Sequence, residues 1–295
     1  MADELGTIAA TLEKEVFQRI TLSAPAVFLV GAARSAAATL RDQVRDELAG
    51  SLRSPRFDVY YPEDLFEELL RGGERGADLL ELENLLAENV HAVVILLESP
   101  GAIAEMGAFC NHQGLRDRLV VVVDAKHRRD RSFIMLGPVS FLQRKTKSEV
   151  IFHKLGQPNL PRLGAEIRTA IRKVSGGIKV DTSLLNPVAA QHHMRVAIQV
   201  LQPVSQATLQ ALIQRAADVG SNDANRIVTT SLSILRREGE VALGFQGYTM
   251  TDAGKQRMKR LLETEPAGAA MIRSLDRVRI EVLSFDLRKP KTWRV

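Results

Sequence analysis

Two glutamates separated by a short turn have the types and spacing to do chemistry. Glu98 follows the apolar run 93–97, the turn Ser99-Pro100-Gly101 comes next, and Glu105 lies in the helix-forming stretch after it. An apolar run that short, bounded by Pro and Gly, indicates a buried parallel strand that leads into a helix. Ligands of open parallel sheets bind outside the carboxyl ends of the strands. We therefore expect these residues to line one crevice.

A carboxylate in such a crevice suits the cleavage of an N-glycosidic bond, because positive charge develops at the anomeric carbon. We expect the helix dipole to keep Glu105 ionised, as a nucleophile or as a stabiliser of the oxocarbenium ion. A cationic leaving group such as nicotinamide needs no strong acid. A neutral purine needs protonation, for which Glu98 is the nearby candidate. The spacing alone fits equally well a glutamate that only complements the dipole.

A second strand end carries a glycine and an arginine. The apolar run Ala26–Val30 ends at Gly31, and Arg34 follows before a predicted helix. Gly31 would let a ligand approach the backbone, and Arg34 could bind a phosphate at the helix N-terminus. The segment matches neither GxGxxG nor GxxxxGK[ST], so a plain strand-to-helix turn explains it equally well.

Further strands are predicted at 57–61, 119–123 and 150–153. They bring Tyr61, Asp64 and Asp124 to the same edge as substrate-binding candidates. Asp64 either caps the following helix or holds ribose hydroxyls. The alternation of strands and helices predicts an α/β fold with a doubly wound, mostly parallel sheet of about five strands.

The composition is that of an ordinary globular protein, and the 295 residues suggest two domains. The single cysteine, Cys110, fits a reducing compartment. No stretch has the length of a membrane span or the pattern of a secretory signal. We expect a cytoplasmic protein with no membrane association. No Cys/His set has zinc spacing, so no metal is expected.

The charge is divided unequally along the chain. Residues 1–150 hold 18 Lys+Arg against 23 Asp+Glu, and residues 151–295 hold 22 against 12. A basic half suggests a polyanionic partner, although basic faces are often merely solvated.

The C-terminal half has the element order of a winged helix. Three helices, at 189–201, 206–217 and 223–238, precede a hairpin at 241–251 and another helix ending near Leu262, with Ser205 and Asn222 as expected N-caps. In that fold the third helix enters the major groove and the wing touches the backbone. The third helix offers DNA-binding candidates, namely Asn225, Arg226, Thr229, Thr230, Arg236 and Arg237. Winged helices also bind proteins, which remains an alternative.

Four segments carry a resemblance to a known family. They are YYPEDLFEELL at 60–70, LENLLAEN at 82–89, ESPGAIAEMGAF at 98–109, and LVVVVDAKHRRDRSFIMLGPV at 119–139. The third resembles the nucleoside deoxyribosyltransferase-like fold, in which a Glu on the helix after a strand attacks the sugar. Together they resemble the effectors of bacterial retrons that carry this domain. The predicted organisation is thus a nucleoside deoxyribosyltransferase-like domain at 1–178 and a winged-helix domain at 186–295.

The resemblance implies a toxin of antiviral defence, an N-glycosidase that hydrolyses NAD through Glu105, with NAD as substrate and no cofactor. It implies association with a retron reverse transcriptase and its multicopy single-stranded DNA, a DNA-RNA hybrid that would restrain the toxin. The transferase pattern has Asp where this chain has Ser99, which favours hydrolysis over transfer.

Two alternatives stay open. One is removal of the base from nucleosides or nucleotides, by hydrolysis or deoxyribosyl transfer, and the other is a DNA-binding regulator that senses a nucleotide. The sequence does not decide between a single chain, a homo-oligomer and a higher assembly.

Overall fold

The computed structural model describes residues 12, 25–32, 39–50, 57–64, 89–178, 180, 183–263 and 268–288. Residues 24–180 form one compact unit, and the described residues from 183 onward belong to a second.

The first unit is built on a sheet of five parallel strands in the order β2-β1-β3-β4-β5. The strands are β1 (Ala26–Val30), β2 (Asp58–Tyr60), β3 (Ala92–Leu96), β4 (Leu119–Asp124) and β5 (Glu149–His153). The first four are almost entirely buried, as their continuous apolar sequences require when both faces of a sheet are covered. The predicted α/β fold with about five mostly parallel strands is confirmed.

Helices cover the sheet. They are α1 (Leu40–Gly50), α2 (Pro100–Asn111), α3 (Ser140–Lys145) and α4 (Leu160–Ser175), with a 3₁₀ turn at Ala125–His127 and a π-helical turn at Met135–Val139. Val44 of α1 and Ile167 of α4 belong to one apolar cluster with strand residues such as Val94. Helix α2 packs on β3 through Met106 and Phe109, which are outside that cluster.

The strand order reverses between β1 and β3. From β1 the chain moves outward to β2, returns to place β3 on the other side of β1, and then continues outward through β4 to β5. Crossovers in opposite directions place helices on opposite faces, because parallel crossovers are right-handed. The carboxyl ends of β1 and β3 therefore flank a crevice of the kind in which doubly wound proteins bind ligands.

The second unit follows the predicted order of helices and hairpin. It contains α5 (Pro187–Leu201), α6 (Gln206–Ala217), α7 (Ser221–Arg237), β6 (Val241–Gly244), β7 (Gly247–Met250), α8 (Asp252–Glu263) and α9 (Gly268–Arg288). Ser205 caps α6 as predicted, accepting a hydrogen bond from the Thr208 N–H at 3.1 Å. The predicted Asn222 cap is wrong, because α7 begins at Ser221 and the extended Gly220 takes the capping position.

The hairpin of β6 and β7 is tied to the connection between α5 and α6. Val204 and Tyr248 exchange two backbone hydrogen bonds, of 3.1 and 2.8 Å. Gly247 has φ +130°, and a Cβ there would lie 2.5 Å from the Val204 carbonyl oxygen. Both the conformation and the close approach require glycine.

A buried ion pair lies inside the second unit. Arg195 of α5 donates from Nε to Glu240 Oε2 at 2.6 Å and from Nη2 to Oε1 at 3.3 Å. Both side chains are buried, and Arg257 of α8 approaches Glu240 Oε1 at 3.1 Å. Glu240 therefore joins α5 and α8 through charge-assisted hydrogen bonds.

Candidate active site at the carboxyl ends of the sheet

Two contacts join the strand ends on either side of the strand-order reversal. The backbone N–H of Ala32, just after β1, donates to Glu98 Oε1 at 3.2 Å. The Ser99 hydroxyl, just after β3, donates to the Gly31 carbonyl oxygen at 3.5 Å. The structure thus brings together three of the predicted site residues, Gly31, Glu98 and Ser99, at the place where a ligand is expected.

Gly31 is approached closely from two sides. A Cβ at this position would lie 3.1 Å from Glu98 Oε1 and 3.2 Å from Arg41 Cδ. The approach of a ligand to Gly31 stays a prediction, because the groups that approach it here are side chains of the chain itself. Glycine keeps Glu98 and Arg41 beside the turn.

Ser99 begins the helix that carries Glu105. Its hydroxyl accepts a hydrogen bond from the Ala102 N–H at 3.2 Å, and Pro100 occupies the first turn of α2, where its missing N–H costs nothing. Gly101 is exposed in the same turn, and a Cβ there would meet only Ser99 Oγ, at 3.9 Å. Among the described residues, a side chain at position 101 would therefore meet no close contact.

Glu105 is half-buried beside the stripe of α2 that packs on the sheet. It is the sixth residue of the helix, and its Oε2 atom is shielded from solvent. Helical side chains lean toward the N-terminus, so Glu105 leans over Gly101 one turn earlier. Glu105 lies beyond the first turn of α2, where the effect of the helix dipole is weaker, and its ionisation by the dipole stays a prediction.

The Tyr61 hydroxyl makes a hydrogen bond inside the fold. The residue is buried, its hydroxyl donates to Asp42 Oδ1 at 2.7 Å, and its ring lies beneath Arg41 and Arg45 at 4.5 and 5.0 Å. Tyr61 supports both arginines by cation–π contact, and its role as a substrate ligand stays a prediction.

Arg41 was missed by the sequence analysis. It is 3% exposed, and its Nη2 donates to Glu63. A signal was present, because Arg41 occupies the same helical face as the buried Val44 and Leu48. An arginine within an apolar stripe needs a polar partner inside the fold.

The other predicted substrate ligands are placed less centrally. Asp64 is buried in the helical residues 62–64, and its N–H donates to the Tyr61 carbonyl, so it follows the cap position rather than occupying it. Asp124 ends β4, where its Oδ1 accepts from the Lys126 N–H at 3.1 Å and its Oδ2 lies 3.3 Å from Lys126 Nζ. Burial alone would raise the pKa of Asp124, but these Lys126 interactions outweigh it and lower the pKa. Arg34 lies outside the described residues.

In the second unit, most of the predicted DNA-binding side chains are exposed on α7. Asn225 accepts a hydrogen bond from Gln210, and Thr229 accepts one from Gln206 at 3.3 Å, so α6 partly covers them. Arg226 pairs with Asp223 at 3.3 Å. Arg236 and Arg237 are exposed at the end of the helix.

Thr230 does not fit the predicted set of DNA-binding residues, because its side chain is 6% exposed and belongs to the apolar face of α7. The hairpin also differs from a phosphate-binding wing. Residues 238–254 contain no Lys or Arg, and the tip exposes Leu243 and Phe245. Among the described residues, exposed cations instead occur on α8 and α9, at Lys255, Lys259, Arg260, Arg273 and Arg277.

Within the described part of the chain, no group of three or more His, Cys, Asp or Glu side chains is arranged to hold a metal ion. The described helices also include none that is long and apolar enough to cross a membrane.

Comparison with known proteins defines the class of this protein. The family model for the STM3845 retron effector protein matches residues 37–242, and the chain belongs to this retron effector family. The predicted resemblance to retron effectors is confirmed. A protein of retron Ec86 from Escherichia coli is 32% identical over 247 residues, which cover 80% of this chain and 78% of that protein.

A second Escherichia coli protein, from retron Ec73, is 32% identical over 89 residues, covering 30% of this chain and 28% of that protein. The names of both relatives propose a ribosyltransferase and DNA-binding protein.

Proposed function

We propose that this retron effector is an N-glycosidase toxin that hydrolyses NAD and releases nicotinamide through Glu105. The observation that carries the proposal is the pair of hydrogen bonds at the strand-order reversal, by which Glu98 and Ser99 hold the turn at Gly31 where α2 begins and leads on to Glu105. The names of the relatives, which propose a ribosyltransferase, support chemistry at a ribose carbon.

In this proposal Glu105 stabilises the positive charge that develops on the ribose ring as the bond to nicotinamide breaks. The bonding electrons leave with the cationic nicotinamide, which departs as a neutral molecule and requires no acid. Water supplies the hydroxyl on the anomeric carbon and releases one proton, so the products are nicotinamide, ADP-ribose and a proton. Ser99 takes the place of the transferase aspartate, which favours water over a second sugar acceptor.

Glu98 has a positioning role in this proposal. Its Oε1 accepts the Ala32 N–H at 3.2 Å, which ties the turn after β1 to the turn after β3. Base removal from nucleosides or nucleotides, with Glu98 as the acid, remains the second enzymatic candidate.

The test is nicotinamide release by the full chain in its retron complex after activation, for the parent and three variants. We expect Glu105→Gln to lower the rate at least a hundredfold, since it removes the charge that stabilises the transition state. Glu149→Gln is the matched control, because Glu149 lies at the amino end of β5 and pairs with Lys173. Glu98→Gln separates the two enzymatic candidates. A folded, activated complex that leaves NAD intact contradicts the proposal, and unchanged toxicity in Glu105→Gln supports the DNA-binding regulator.

We further propose that residues 186–295 are a winged-helix domain that associates with the reverse transcriptase and the multicopy DNA-RNA hybrid of the retron. The order of three helices and a hairpin, and the pairing of Val204 with Tyr248, support the winged helix. The exposed cations at the end of α7 and on α8 and α9 support a phosphate-rich partner. This association restrains the toxin until infection, and cells that express the effector with and without the reverse transcriptase locus test it by their NAD content.

A further inference from the structure

A buried arginine lies beside the candidate crevice with one donor unsatisfied. Arg41 is 3% exposed, and among the described residues its guanidinium makes a single hydrogen bond, from Nη2 to Glu63. The Nε atom is shielded from solvent and has no hydrogen-bond partner in the described structure. A guanidinium carries five N–H donors in a planar fork, and buried donors are normally satisfied. Arg41 therefore has an unused N–H donor for a further anionic partner.

The location of Arg41 identifies where that partner would bind. Its Cδ lies 3.2 Å from the position that a Cβ of Gly31 would occupy, and Glu98 Oε1 lies 3.1 Å from the same position. Arg41 thus borders the turn after β1, on the β1 side of the crevice, while Glu105 is on the helix that starts from the β3 side. A ligand between them would meet a cation at one end and a carboxylate at the other.

The arginine is held in place before any ligand arrives. The Tyr61 ring lies 4.5 Å from the guanidinium carbon, and the Tyr61 hydroxyl donates to Asp42 at 2.7 Å. Asp42 in turn accepts hydrogen bonds from the Thr39 N–H at 2.9 Å and the Thr39 hydroxyl at 2.8 Å, which fixes the start of α1. A fixed guanidinium loses little freedom when it binds an anion.

The charges around Arg41 allow exchange of its present partner. Glu63 is 40% exposed, so its carboxylate can move into water when another anion arrives. Asp42 is occupied by Tyr61 and Thr39, and Glu98 by Ala32. Arg45, one turn further along α1, lies 5.0 Å from the same Tyr61 ring. Phosphate is the anion that the planar fork of arginine fits best among nucleotide groups.

We propose that Arg41 binds a phosphate of the substrate, so that the site takes phosphorylated nucleotides in preference to free nucleosides. The proposal deepens the function proposed above and rests on its assignment of the crevice. It places the phosphate on the β1 side of the crevice, and the ribose whose glycosidic bond is cleaved on the Glu105 side. Hydrolysis of the glycosidic bond and recognition of the phosphate are separable, and so are their tests.

The experiment measures binding of adenosine, AMP and ADP-ribose to the full chain carrying Glu105→Gln, by calorimetry. We expect AMP and ADP-ribose to bind at least tenfold more tightly than adenosine. Adding Arg41→Met should remove that preference and leave adenosine unchanged. Arg45→Met is the matched control, because it also removes one positive charge from α1 and one contact with the Tyr61 ring. In this variant the preference for AMP over adenosine should remain.

A second variant covers the case in which Arg41→Met does not fold. Arg41→Lys keeps the charge and loses the fork, and we expect a several-fold loss of AMP affinity with the thermal unfolding temperature little changed. Equal affinity for adenosine and AMP in the parent, no binding of either, unchanged AMP affinity in Arg41→Lys, or equal losses in Arg41→Met and Arg45→Met would overturn the proposal. If AMP selectivity depends on Arg41 but NAD is never cleaved, the proposed reaction fails and the phosphate assignment stands.

Discussion

Ala32 donates its backbone N–H to the carboxylate of Glu98 at 3.2 Å, across the two neighbouring strands between which the strand order reverses. The two residues are 66 positions apart in the chain. Glu98 thereby fixes the turn after β1 relative to the turn after β3, and both turns border the proposed substrate crevice.

The first prediction concerns this hydrogen bond. Glu98→Gln keeps a side-chain oxygen that can accept the Ala32 N–H, and we expect nicotinamide release within about threefold of the parent. Glu98→Ala loses the acceptor, and we expect a loss of about tenfold, the equivalent of one hydrogen bond to a charged group. Steady-state kinetics measure both. A rate in Glu98→Gln as low as in Glu105→Gln would assign Glu98 a proton-transfer role.

Gly31→Ala tests the crowding around the same turn. The added methyl group would lie 3.1 Å from Glu98 Oε1 and 3.2 Å from Arg41 Cδ, so at least one side chain must shift. We expect AMP affinity to fall about tenfold while stability changes by about 1 kcal/mol. Gly107→Ala on α2 is the control, because its Cβ meets nothing within 4 Å. Equal AMP affinity in both variants would show that the turn tolerates displacement.

The buried pair Arg195–Glu240 supports a stability prediction. Glu240→Gln leaves the Arg195 guanidinium buried without its counter-charge, and we expect a loss of about 3–5 kcal/mol in the free energy of unfolding. Asp252→Asn removes an exposed carboxylate that pairs with Lys255, and should cost about 1 kcal/mol or less. Urea denaturation followed by circular dichroism compares the two. Similar losses in both variants would contradict a structural role of the buried pair.

His193 predicts a dependence of stability on pH. Burial lowers its pKa from 6.5 to about 4, so the folded state holds it neutral while the unfolded state binds a proton below pH 6.5. Stability is therefore fully present above pH 6.5 and falls as the pH drops toward 4, by about 3 kcal/mol. Thermal unfolding between pH 7 and about 4.5 measures the fall. His193→Met should flatten this profile, and an unchanged slope would assign the pH dependence to other groups.

The last prediction concerns binding of the retron DNA. Replacing both Arg236 and Arg237 by Gln should weaken binding and reduce the slope of log affinity against log salt by about two. Phe245→Ser should leave affinity and slope unchanged, because the hairpin tip carries no cation. Fluorescence anisotropy at several salt concentrations provides the measurement. A large loss in Phe245→Ser would instead place the tip against the nucleic acid.

The strands were predicted well from the sequence because their apolar runs are continuous. β-branched runs such as Val120–Val123 are typical of buried parallel strands. The order of elements in the second unit followed from helical spacing and from capping residues such as Ser205. Helix α9 was not predicted, although Met271, Leu275 and Val278 recur at helical spacing on its buried face.

The site was predicted less completely because its contacts join distant parts of the chain. Tyr61 looks like a ligand from its place at a strand end, but its hydroxyl is used by Asp42 on α1. Arg41 was overlooked, since its role depends on its hydrogen bond to Glu63 and on its position beside Gly31, ten residues earlier in the chain. Thr230 could have been excluded from the DNA-binding set, because it shares the apolar face with Ile227 and Ile234.

The pairing of Val204 with Tyr248 makes the hairpin a stiff extension of the corner between α5 and α6. A partner that bends the hairpin must also displace that corner or break two backbone hydrogen bonds. Because Gly247 fits against Val204 with no space for a side chain, the hairpin has little freedom to slide instead. Force applied at Phe245 is therefore transmitted to the helical core of the second unit rather than absorbed by the turn.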